Sequence, residues 1–281
     1  MYLAEWQDVT GGNFVVQRRQ IEALLGPRFR TLSGDGAALV SFVHEVQPAI
    51  LHFQEIPETF VPFETQEQLY LADTPYAIYE TSHSGSQDFV AAKRLLPDKF
   101  VLVSPHQMGL YEPLGVPCEL LEYVLEPKVR GDRTEALQKL DLDPKVKHVL
   151  NVGLFTPGKN QGEAFEIARG MLGEAVQFHF VGNRAGNFEH YWGPLLPKMP
   201  ANCRLWGERA DVDSFYGAMD ALLFTSKLEC NPLVVKEALA WGLPVLMYDL
   251  PTYVGMRFNE QLVRWLEPAI EDNRALVRHV L

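Results

Sequence analysis

At 281 residues the chain has room for one large domain or two of ordinary size, and 47% hydrophobic with 22% charged residues is the balance of a soluble globular protein. A formal net charge of −11 argues against a non-specific nucleic-acid binder, whose affinity rests on neutralising phosphates, and no apolar run approaches the roughly 20 residues that span a membrane. Cys118, Cys203 and Cys230 are too few and too scattered for a disulfide framework or a metal site; with no basic-then-apolar opening segment, the expected location is cytoplasmic.

The charge is unevenly shared: residues 1–125 hold 7 Lys/Arg and 16 Asp/Glu, net −9, while residues 126–281 hold 18 and 20, net −2. MYLAEW reads as a short strand, Gly11-Gly12 as a tight turn, and FVVQRRQIEALL as an apolar-periodic helix stopped near Gly26-Pro27. Strand, glycine turn and helix make the first unit of a doubly wound sheet. Arg18, Arg19, Arg28 and Arg30 form a basic cluster here, read as a solvated helix face in preference to a contact with anionic lipid. FRTLSGD, AILHFQ and PYAIYETSHSG are the next strands, and the acidic, proline-containing stretch 54–68 is expected to loop over the sheet edge. His83 stands just past a strand end, where ligands gather in open α/β sheets; a lone histidine is otherwise structural, and His106 is a reserve of the same kind. KFVLVSPHQMGLYEPLG and CELLEYVLEP complete a first domain of residues 1–125, and the highly charged residues 126–146 read as a linker with room for a short helix.

KHVLNVG opens a second strand series. Gly153 to Lys159 fits GxxxxGK, but Asn160 follows where a P-loop needs Ser or Thr to hold Mg²⁺. Read as a P-loop, the string would set Lys159 against a phosphate. VQFHFVGN and NCRLWGE are further strands, and Trp206 either stacks on a ligand or belongs to the core. ADVDSFYGAMDALLFTS supplies a helix with Asp211 as its N-cap, then a strand. Asp211-Val212-Asp213 and Asp141-Leu142-Asp143 are DxD strings, yet neither follows a strand, so no metal site is expected. The tail RFNEQLVRWLEPAIEDNRALVRHVL reads as helix broken at Pro268.

The stretch TSKLECNPLVVKEALAWGLPVLMYDLP reads as strand end, loop, helix and strand. Asn231 is placed to cap the helix, Pro232 suits its first turn, and Gly242 with Pro244 stops it. Its apolar composition predicts a mostly buried helix. Glu229 lies just before it and Glu237 inside it, flanking a helix start whose free N–H groups and partial positive charge attract anions.

Glu229 and Glu237, with seven residues between them and TS…E.NPL…EALA.GLPV around them, resemble the EX7E motif of retaining GT-B glycosyltransferases of the GT4 type (glycosyl transferases group 1). The resemblance implies an α/β fold of GT-B architecture, two Rossmann-like doubly wound domains facing each other across a cleft. It divides the chain into an acceptor-side domain (1–125), a linker (126–146), a nucleotide-sugar-binding domain (147–265) and a C-terminal helix (266–281) crossing back to the first domain. It also implies transfer of a sugar from a nucleotide-diphosphate donor carrying UDP, GDP or a similar nucleotide, with retention and without metal or further cofactor. The acceptor is an unidentified sugar, lipid or small molecule. Glu229 would lie by the donor sugar and Glu237 by the ribose. Gly12 would allow close approach to the backbone. Gly153, Lys159 and the helix start at Asn231, Pro232, Leu233 and Val234 would face the diphosphate, and His83 the sugar hydroxyls or phosphate. Leu154 stands where the family has arginine. Three other readings stay open: a P-loop phosphotransferase using Lys159 and Asp249, a glycoside hydrolase using Glu229 and Glu237, and a degenerate GT-B domain that binds without turnover.

Overall fold

The computed structural model describes residues 3–5, 22–32, 34–71, 73–121, 123 and 125–281, so Gly11, Gly12, Arg18 and Arg19 lie outside the described residues. The chain divides into two compact units, one of Met1–Tyr123 with Thr252–Met256, the other of Val124–Pro251 with Arg257–Leu281.

In the first unit β1 (Leu3–Glu5) pairs with β2 (Phe29–Thr31), and β3 (Ile50–Phe53), β4 (Ala77–Ser82), β5 (Lys99–Leu102) and β6 (Cys118–Leu120) lie side by side in sequence order. Every pairing is parallel, so each connection must cross over the sheet. Helices α1 (Gly36–Val46), α2 (Phe63–Leu69), α3 (Gln87–Ala91) and α4 (Pro105–Tyr111) fall between the strands β2 to β6. Asp35 starts α1 by accepting from Ala37 N and Ala38 N, and Ser104 with Gln107 forms a capping box for α4. The last six residues of the expected 54–68 loop belong instead to α2, because Gln66 and Leu69 are buried on one of its faces. Leu69 joins Leu39, Val43, Phe53, Val61 and Ile78 in one core, and Phe100, Leu102 and Tyr111 make another. Beneath β4, Lys93 Nζ lies 2.7 Å from both oxygens of buried Glu80 and 2.9 Å from Glu58, while Tyr70 Oη donates to Glu80 (2.6 Å). Burial pushes the Glu80 carboxyl upward and Lys93 opposes the shift. The returning segment Thr252–Met256 buries Tyr253, and Gly255 (φ +82°) lies so close to α4 that a Cβ there would stand 2.8 Å from Pro105 Cβ.

The second unit holds β7 (Lys147–Val152), β8 (Val176–Val181), β9 (Cys203–Gly207), β10 (Ala221–Phe224), β11 (Val245–Met247) and β12 (Val263–Trp265). All are parallel, in the order β12-β11-β10-β7-β8-β9. The central strands are buried on both faces, which explains the unbroken apolar runs Ala221–Phe224 and Val245–Met247. Helices α5 (Arg133–Lys139), α6 (Gln161–Arg169), α7 (Glu189–Leu195), α8 (Val212–Ala218), α9 (Leu233–Ala240) and α10 (Ile270–Val280) surround the sheet. The strand order reverses between β7 and β10, which creates a switch point where ligands bind in open sheets.

Three segments of the second unit bear on the sequence reading. Part of the expected 126–146 linker is α5, packed on α8 with Arg133 paired to Asp220 at 2.7 Å. The tail is not helical throughout: Val263–Trp265 completes the sheet beside β11, with Val263 in register with Val245. The last helix, α10, packs on α6 through Arg274 Nη2 to Glu166 O (2.8 Å) and pairs Arg278 with Glu174. It therefore groups with the second unit.

A buried chain of rings links β7, β8 and β9. Trp206 Nε1, which can only donate, gives its proton to His179 Nδ1 (3.0 Å). The other His179 nitrogen must then carry a proton and donate to His148 Nδ1 (3.0 Å), and His148 Nε2 in turn donates to Asp143 O (2.9 Å). Both rings are neutral: burial, aided by His148 and Arg204, pulls His179 down to about 3, and burial also lowers His148. Since the folded value lies below the ordinary 6.5, this stabilisation is complete above pH 6.5 and is lost as the pH falls toward 3. At pH 5 the His179 contribution lost is about 2 kcal/mol. In chemical denaturation the wild type is expected to lose more stability between pH 7.5 and 5.0 than His179→Gln, whose amide preserves one donor and one acceptor.

Candidate active site at the switch point of the second sheet

The neighbouring strands β7 and β10 end at Val152 and Phe224, and the loops that follow them are tied together. Lys227 N donates to Gly158 O (2.8 Å), Ser226 Oγ lies 3.1 Å from the same oxygen, and Thr225 Oγ1 lies 3.0 Å from Asn160 O. Gly182, at the end of β8, approaches Gly153 so closely that a Cβ would sit 2.0 Å from Gly153 O, so this corner admits only glycine. The bare face of Gly153 receives the Lys159 stem, since a Cβ there would lie 3.5 Å from Lys159 Cδ.

The structure brings Lys159 and Glu229 together. Lys159 Nζ lies 2.5 Å from Glu229 Oε1 and 5.3 Å from the centroid of the Phe224 ring. Ser226 Oγ approaches the same carboxylate oxygen at 2.5 Å. The lysine side chain is 28% exposed and the glutamate 9%, so neither is a free loop residue. Asn160 follows in the left-handed region (φ 54°), a conformation asparagine tolerates, and leads directly into α6. Its Nδ2 donates to Glu163 Oε2 (2.7 Å); Lys227 Nζ lies 2.9 Å from that oxygen, and Tyr248 Oη donates to Glu163 Oε1.

Helix α9 begins one residue later than expected. Pro232, not Asn231, occupies the cap position, because it has no N–H of its own and its carbonyl accepts from Val235 N (3.1 Å) and Lys236 N (3.2 Å). The amides of Leu233 and Val234 precede these first intrahelical bonds, as they must at a helix start. Only Val235 and Ala238 are fully buried and Leu233 is 41% exposed, so α9 is half-buried rather than mostly buried. Glu237 projects toward α8, where Tyr216 Oη donates to its Oε2 (2.7 Å). Burial pushes the Glu237 carboxyl upward, Asp213 adding to this and Tyr216 and Lys128 opposing it.

The remaining sequence candidates fall elsewhere. His83 is exposed just past β4 in the first unit, and Gly12 lies outside the described residues. The turn carrying His83 is fixed by buried Gln107, whose Nε2 donates to Ser82 O (2.8 Å) and Ser84 O (2.9 Å). His106 is half-buried on α4. Trp206 is held by His179, with the Arg204 guanidinium 3.7 Å from its ring centroid. Asp211 occupies the cap position of α8 but makes no side-chain cap bond; Arg209 engages both of its oxygens instead. Among the described residues no group of three or more His, Cys, Asp or Glu is placed to hold a metal ion. Sequence reasoning missed Ser226, Lys227, Glu163, Tyr216 and Tyr248. Ser226 and Lys227 sit in the motif string itself; the two tyrosines carry no local signal, because only the fold brings them to the glutamates.

The model of the family described as glycosyl transferases group 1 matches residues 132–274, just over half of the chain. A processive diacylglycerol alpha-glucosyltransferase of Acholeplasma laidlawii is 28% identical over 153 residues, which are 53% of this chain and 44% of that protein. The match thus spans less than half the length of that relative. Among solved structures, Anabaena Alr3699/HepE in complex with UDP and glucose aligns with a TM-score of 0.75 at 14% identity, over 98% of this chain and 80% of that one. The sucrose-phosphate synthase of Thermosynechococcus elongatus aligns with a TM-score of 0.69 at 15% identity, over 87% and 67%. WaaG, a glycosyltransferase involved in lipopolysaccharide biosynthesis, aligns with 0.66 at 13%, over 99% and 89%. These likenesses establish the fold as the parallel-sheet α/β type of GT-B glycosyltransferases. From the family match over its second unit, the chain belongs to glycosyl transferases group 1.

Proposed function

We propose that the protein transfers a sugar from a nucleotide-diphosphate donor to an acceptor hydroxyl, with retention at the anomeric carbon and without a metal ion. The observation that carries this reading is the Lys159–Glu229 pair, set against Gly153 at the switch point of the second sheet. Support for the donor class comes from the family match and from like-folded proteins solved with UDP or UDP-glucose.

The chemistry follows from the charges. Breaking the bond from the anomeric carbon to the diphosphate oxygen sends its electron pair to the phosphate and leaves positive charge on the sugar ring. Lys159 and the first-turn amides of α9 stabilise the departing anion. Glu229, steadied by Ser226, faces the sugar, and Glu237 takes the ribose hydroxyls. The acceptor oxygen forms its bond on the face the leaving group vacates, and its proton passes to the departing phosphate oxygen. No protein nucleophile is required. In this reading Lys159 turns from Glu229 toward the phosphate when the donor binds. His83, in the first unit, contacts the sugar hydroxyls or phosphate. Leu154, lacking a charge, leaves the phosphate one contact poorer than in the resembled family.

Lys159→Ala is expected to keep its circular dichroism spectrum and to lose roughly 10²–10³ in donor turnover. A thermal-shift screen with UDP, GDP, ADP and dTDP in EDTA is expected to give a large shift for one of them; no shift for any would remove the proposal. Tyr216→Phe, which strips Glu237 of its neutral donor, is expected to lower unfolding stability by roughly 1–3 kcal/mol, read by chemical denaturation.

A further inference from the structure

We propose that Lys227 is a second phosphate-contacting residue of this site, leaving Glu163 to meet the donor's diphosphate; this rests on the nucleotide-diphosphate reading above. The need for such a residue is visible in the charges. A sugar nucleotide's diphosphate, esterified at both ends, carries two negative charges, and Lys159, turning to it from Glu229, brings only one positive charge. Lys227 belongs to the same pair of tied loops: its backbone N–H donates to Gly158 O, one residue before Lys159, and it lies two residues before Glu229.

Its side chain is suited to leave its present partner. It is 57% exposed, and its ammonium lies 5.1 Å from the centroid of the Tyr248 ring. Glu163, only 10% exposed, does not depend on it. Asn160 Nδ2 donates to one Glu163 oxygen and Tyr248 Oη to the other, so the carboxylate keeps two hydrogen bonds when the lysine swings away. A buried acid left without partners would resist that exchange, and here the two neutral donors remove the resistance. The four-carbon stem gives the ammonium reach without moving the backbone, which the Gly158 contact holds. The resting contact with Glu163 thus parks Lys227 at the rim of the site.

The contact is tested by isothermal titration of the full chain with UDP, GDP, ADP and dTDP, each beside its own nucleoside. Lys227→Ala is expected to weaken the preferred diphosphate roughly tenfold, to leave the matching nucleoside unchanged, and to be largely rescued in Lys227→Arg. Unchanged diphosphate affinity in Lys227→Ala, or equal weakening of nucleoside and diphosphate, would overturn the assignment while leaving the site reading intact. A wild type that binds none of the diphosphates would overturn both.

Discussion

A lysine and a glutamate seventy residues apart in sequence meet at 2.5 Å where the second sheet reverses its strand order. Glu229 is nearly buried, and taking a carboxylate out of water is costly unless a cation and hydrogen bonds compensate. Lys159 and Ser226 supply them at one oxygen. Because Lys159 follows β7 and Glu229 follows β10, the pair joins the two loops at the switch point, and the backbone ties at Gly158 and Asn160 fix the same junction independently. Removing either charge would leave the other stranded, so the resting site is held in one geometry before any ligand arrives.

The two glutamates of the motif sit in different surroundings. Glu229 meets an ammonium, whereas Glu237 meets only a neutral phenol inside the α8–α9 contact, and burial raises its proton affinity. On the proposed function these surroundings would suit the two carboxylates to different tasks, one near developing charge and one near neutral hydroxyls. A third acid, Glu163, keeps company with an amide, a phenol and an exposed lysine. Each of the three acids thus has a donor set of its own.

Most of the strands were legible because parallel strands buried on both faces leave continuous apolar runs between glycines and prolines, as in ALLF and VLM. The Gly153–Lys159 and Glu229–Glu237 strings were legible for a similar reason: their spacing is local. What was not legible depended on contacts made far along the chain. Val263–Trp265 looked helical until β11 offered it an edge, and the partner that seats the short helix 133–139, Asp220 against Arg133, lies far along the chain. Asn231 had the right side chain for a cap, but Pro232 took the position because its carbonyl could serve the first turn without an N–H of its own. The His148–His179–Trp206 chain spans three strands, and no single segment announces it.

The segment Thr252–Met256 leaves the second unit, adds a buried tyrosine and a tightly seated glycine to the first, and the chain then goes back. Neither body is therefore one uninterrupted stretch of polypeptide. A fragment cut after Tyr123 would surrender part of its own interior, while the complementary fragment would carry Tyr253 stripped of its seat. Any evolutionary exchange of one half for another must respect that borrowed five-residue piece.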